Sequence, residues 1–133
     1  MTQHLWDQIL MLLSVMIMAD GRVRDEEIDA FVDGVKVLQS SFEPGPSLTD
    51  ESYISWFRLN ETRSRELILA EPFEAALMPY LTELSELPNC QLLLDQLRTI
   101  ADSDMHRDKA ESDLLTLAAA FWGLVQPSAD VDL

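Results

Sequence analysis

Two pairs of carboxylates are the residues in this chain best placed to do chemistry. Asp20 and Glu27 stand seven positions apart, and Asp104 and Glu111 repeat that spacing near the other end. The first pair lies in Met18-Ala19-Asp20-Gly21-Arg22-Val23-Arg24-Asp25-Glu26-Glu27, the second in Asp102-Ser103-Asp104-Met105-His106-Arg107-Asp108-Lys109-Ala110-Glu111. Carboxylate oxygens gathered at one place bind hard divalent cations such as Ca²⁺ or Mg²⁺. Two acidic turns brought together by pseudo-twofold packing would converge Asp20, Glu27, Asp104 and Glu111 on one ion. A ligand-free reading competes with this one. Asp108-Lys109-Ala110-Glu111 has the form of a capping box, with Asp108 bonding the Glu111 amide and Glu111 reaching back. The first copy has Arg24 at the cap position, so its box is imperfect. The two readings are compatible, and both stay open here.

Other chemistries find less support. Asp102, Asp104, His106, Asp108 and Asp113 suggest an EF-hand, but Arg107 occupies the position that must be Gly and Asp113 stands where a bidentate Glu is usual. A di-iron carboxylate bundle needs Glu-x-x-His twice, and neither His4 nor His106 follows a Glu at that spacing. There is no Gly-x-Ser-x-Gly elbow and no Gly-rich phosphate loop. Cys90, the single cysteine, follows Pro88-Asn89 at a helix start, where a part-buried inert thiol is the common outcome and an activated one the rarer. Met11, Met16 and Met18 read as core filling rather than ligands for a soft metal. Arg58, Arg63 and Arg65 form a basic cluster that can pair with Glu61 and Glu66 on a solvated face or dock an acidic partner. Tyr53, Trp56 and Phe57 just before it are core or groove, core being the default.

The elements that must position these groups are helices. Leu5 to Met18 is apolar on nearly every face, so this helix belongs at the centre of a domain. Asp20-Gly21 ends it. Arg24 to Gln39 carries Ile28, Phe31, Val32, Val35 and Leu38 at three- and four-residue spacing, with Asp25, Glu26 and Glu27 in the favourable first turn. Ser40 to Ser47 reads as a loop. Thr49 caps a helix through Leu59, and Asn60 is placed to cap another containing Leu67 to Leu69. Phe73 to Leu87 follows Pro72, with Pro79 expected to kink or divide it. Asn89 caps a helix through Ile100, and Lys109 to Val125 is the last. The expectation is an all-α fold: a single compact bundle of six or seven helices, residues 1–126, with a frayed tail at 127–133. Helix, acidic turn and helix recur at both ends, which predicts an internal helix-turn-helix pseudo-repeat.

A net charge of −15 on 133 residues argues against phosphate-backbone binding to nucleic acid and against adhesion to anionic membranes. Cations and basic protein surfaces are better partners. A lone cysteine permits no intrachain disulfide and suits a reducing compartment, hence a cytoplasmic location. The apolar run Ile9 to Met18 is too short to span a bilayer, and no basic segment precedes it as in a signal peptide. No direct membrane insertion is expected.

Ala19-Asp20-Gly21-x-Val23-x-x-x-Glu27 resembles the hallmark of TerB (tellurite-resistance protein B) domains. Ile100-Ala101-x-x-Asp104 through Glu111 is similar to the second copy of that hallmark, although Met105 replaces the expected Gly and Arg107 the expected apolar residue. The segment 40–88 carries no matching motif. The resemblance implies an all-helical domain, often of seven helices, of the kind found in tellurite- and stress-response systems and at the N-terminus of a membrane-anchored J-domain co-chaperone. It also implies metal binding by the acidic residues, which transfers to Asp20, Glu27, Asp104 and Glu111. The expected function is therefore a non-catalytic interaction module for a protein partner, with a divalent cation at the acidic turns. The alternative is a metal-dependent hydrolase using the same carboxylates, and a third reading is an acidic helical domain with no ligand.

Overall fold

The structure, a computed structural model, describes residues 3–19, 25–41, 49–87, 89–102 and 109–124, with the backbone alone for Gln3, Ser41 and Asp50. Among these residues the chain forms helices and no strand: α1 (Gln3–Met18), α2 (Asp25–Ser41), α3 (Asp50–Leu69), α4 (Phe73–Leu84), α5 (Cys90–Ala101) and α6 (Lys109–Phe121). None of them is long and apolar enough to cross a membrane.

From Ile9 to Met18, apolar at every position but Ser14, α1 is the axis of the bundle. Every side chain from Ile9 to Met18 is buried, Ser14 included, and α1 packs against α2, α3, α4 and α5. A helix without a polar stripe can satisfy itself only by being surrounded. Around it, α5 packs on both α2 and α6, while α4 packs on α3 and α6. Phe31 of α2 and Phe57 of α3 meet with ring centroids 5.7 Å apart, a tilted pair that joins two of the outer helices in the core. Met11, Met16 and Met18 are buried in the same core, as their spacing predicts. The basic cluster behaves largely as a solvated face: Arg58 and Arg65 both reach Glu61, at 3.9 and 3.5 Å.

Three boundaries differ from those expected. Asn60 caps nothing. It sits inside one continuous helix, where its Nδ2 donates to the Trp56 carbonyl at 2.9 Å and its own carbonyl accepts from Ser64 Oγ at 3.0 Å. With no Gly or Pro nearby, the side chain satisfies itself along the helix, and the break is unnecessary. Pro79 lies within α4 without dividing it, and that helix ends at Leu84, with Leu87 buried in the turn beyond. The last helix stops at Phe121 rather than Val125, because Gly123 adopts φ 69°. Its amide bonds the Ala120 carbonyl and the Leu124 amide bonds the Ala119 carbonyl, the two bonds of a Schellman stop. Two caps fall where the sequence puts them: Thr49 accepts from the Ser52 amide and Asn89 from the Leu92 amide, both at 3.2 Å. The loop residues 42–48, the cap positions Arg24 and Asp108, and the tail 127–133 lie outside the described residues.

Candidate functional site

Of the four carboxylates singled out by spacing, Asp20 and Asp104 lie outside the described residues, as do Met105, His106 and Arg107. Glu27 and Glu111 are described, and they are alike. Each is the third residue of its helix, α2 and α6 respectively, and each is 0% exposed. Glutamate is almost never buried completely unless it has company, and each of these makes a polar contact within the chain. Both parent helices pack on α5. Burial at the first turn has a physical logic, because the positive end of the helix dipole partly offsets the cost of taking a carboxylate out of water. Among the described residues no group of three or more His, Cys, Asp or Glu is placed to hold a metal ion.

A second site is formed by residues that no motif connects. Between the N-terminal half of α1, the outer face of α3 and the middle of α4 lies a cleft of about 550 Å³. Its walls include Gln8 and Met11 from α1, Trp56, Arg63 and Leu67 from α3, and Pro79 and Tyr80 from α4, with His4 and Asp7 at the rim. Trp56 faces the cleft while Tyr53 and Phe57 are fully buried, so the aromatic trio divides between groove and core. Arg63 parts company with its two neighbours. Among the described residues it makes no ion pair, and its Nη2 donates instead to the Tyr80 hydroxyl at 3.0 Å across the cleft. That hydrogen bond raises the guanidinium pKa above its ordinary value, with the nearby Glu66 charge a smaller contribution.

At the other end Glu83 is gripped from α1. Gln8 Nε2 donates to one carboxylate oxygen and His4 Nε2 lies 3.0 Å from the other. These contacts hold the Glu83 carboxyl below the usual carboxylate range, the Gln8 hydrogen bond first and the His4 bond second. Gln8 is only 8% exposed, and its Oε1 is buried with no hydrogen-bond partner among the described residues.

The cysteine is part-buried and hydrogen-bonded. Cys90 Sγ donates to the carbonyls of Leu84 at 3.3 Å and Leu87 at 3.8 Å, and burial pushes the thiol pKa up. Activation needs the opposite shift.

Against these sites, comparison with known proteins supplies no precedent: no family model, no curated protein and no solved structure matches the chain.

Proposed function

We propose that the chain is a TerB-like, non-catalytic helical interaction module whose acidic turns take a divalent cation, Ca²⁺ or Mg²⁺, in a cytoplasmic stress-response or tellurite-resistance type of system. The observation that carries this reading is the matched burial of Glu27 and Glu111. Two helices from opposite ends of the chain each bury their third residue, a glutamate, completely. Capping accounts for a glutamate reaching back toward its own helix start. Full burial at both places goes further, because it holds each carboxylate in one place with few competing water contacts. Asp20, Glu27, Asp104 and Glu111 are the residues that would hold the ion, and the helix-turn-helix pseudo-repeat is the arrangement that would bring them together. A protein partner would read the surrounding acidic surface through its own basic groups.

Calorimetric titration with Ca²⁺ and with Mg²⁺ tests the cation. Saturable heat is expected with one of them, together with a rise in melting temperature that EDTA reverses and that Asp20→Asn combined with Asp104→Asn abolishes. Monovalent salt at matched ionic strength must not reproduce the rise. Absence of saturable heat at millimolar concentration would remove the cation and leave the interaction reading. Capture of a partner from the native cell, competed by a basic peptide, tests that remaining part.

A further inference from the structure

The cleft between α1, α3 and α4 is lined by neither Glu27 nor Glu111, and its chemistry is different. The chain carries nine Lys and Arg against twenty-four Asp and Glu. In such company an arginine without a carboxylate of the described residues within ion-pair distance is conspicuous. Arg58 and Arg65, on the same helix, share Glu61, and Arg98 pairs with Asp95 at 3.1 Å. Arg63 instead crosses the cleft to a tyrosine hydroxyl. One donor of its planar fork is used in that bond, which fixes the guanidinium plane while leaving further N–H groups to offer. The wall beside it is apolar and aromatic, built from Trp56, Leu67 and Pro79. In the α1 wall, the Gln8 amide nitrogen is committed to Glu83.

We propose that this cleft binds a small organic monocarboxylate with a flat apolar body, the carboxylate on Arg63 and the body against Trp56. The volume falls within the range of small-molecule sites. The charge number follows from the rim. Glu66 stands near the Arg63 guanidinium and Asp7 lines the same cleft, so a monoanion is balanced by Arg63, whereas a phosphate dianion would carry a second charge beyond the one Arg63 offers. Asp7 is already engaged within the chain.

Three probes of one shape test this: indole-3-acetate, neutral 3-methylindole and cationic tryptamine, each titrated into the ¹⁵N-labelled full-length chain and followed by NMR. Indole-3-acetate should give saturable shifts at the Trp56 indole N–H, the Gln8 side-chain amide and the Arg63 side chain, and should bind tightest of the three. Arg63→Gln should weaken it at least tenfold and erase its advantage over 3-methylindole, while Arg58→Gln, outside the cleft, should leave it unchanged. Should Arg63→Gln lose the dispersed spectrum of a folded chain, Arg63→Lys serves in its place, and it must weaken binding because an ammonium cannot present a fork. The proposal is overturned by equal binding of all three probes, by tryptamine binding tightest, by shifts away from the cleft, by no saturable shift, or by Arg63 variants that bind like the wild type. None of these outcomes depends on a cation at the acidic turns, so failure here and failure of the functional reading are separable.

Discussion

Ser14 stands in the middle of α1 with its hydroxyl buried and, among the described residues, without a hydrogen-bond partner. Its neighbours along the helix are apolar, and Ala is the better helix former. Ser14→Ala should therefore stabilise the fold by about 1 kcal/mol, read as a rise in the urea midpoint with an unchanged slope. Glu27 and Glu111 are the opposite case, since each has a polar contact in a fully buried place. Replacing either with Ala strands the other half of that contact and should cost about 1–3 kcal/mol. If urea unfolding shows both changes to be neutral, the burial is incidental. These two glutamates were legible in the sequence through their spacing from an upstream Asp, but their burial was not, because spacing reports register and not depth. The cleft was legible only in fragments, through Trp56 and Arg63. Gln8, Arg63 and Glu83 come from three helices, and Gln8 meets Glu83 across 75 positions of chain. No periodicity encodes such a meeting. Arg63 drew notice in a strongly acidic chain, but its cluster with Arg58 and Arg65 disguised which of the three was different.

At the scale of the helix, periodicity read well and punctuation read unevenly. The central position of α1 followed from its lack of a polar face, and the amphipathic spacing of α2 from Ile28 to Leu38 matches its buried side. Thr49 and Asn89 cap as their types predict, whereas Asn60, of the same capping type, lies mid-helix bonding a carbonyl one turn back. Asparagine is an ambiguous signal because one side chain can serve either end of a hydrogen bond. Gly123 is the reverse error: a strong stop read through because apolar residues continue on either side of it. A central helix makes a clear energetic prediction. Leu13→Ala leaves a cavity in a region already packed on four sides, and should cost about 2–5 kcal/mol in equilibrium urea unfolding. A loss well below that would mean that the surrounding helices collapse onto the gap.

For the whole molecule the dominant quantity is charge. With a net charge of −15 distributed over a small helical bundle, mutual repulsion of the carboxylates opposes the compact state. The ion pairs seen on the described surface are short-range helix pairs such as Lys109 with Asp113 at 2.8 Å, and exposed pairs of that kind contribute little. Monovalent salt, by screening the repulsion, should raise the melting temperature at neutral pH, with most of the gain reached by about 0.15 M as the screening length shortens toward 8 Å. Scanning calorimetry across a salt series checks this, and a flat or falling trend would show that attractive pairs outweigh the repulsion.

The hydrogen bonds from Cys90 to the turn between α4 and α5 give the molecule its own clock. The chain's single thiol, Cys90, is part-buried and hydrogen-bonded, so an aromatic disulfide reagent should react with it more slowly in the folded chain than in the unfolded one. The ratio of the two rates measures how far the closed corner protects the thiol. The natural sequence thus contains, without any engineered label, a kinetic readout of how often the α4–α5 corner comes apart. The urea dependence of that rate should separate a fluctuation confined to the corner, nearly insensitive to denaturant, from one that requires the whole bundle to unfold.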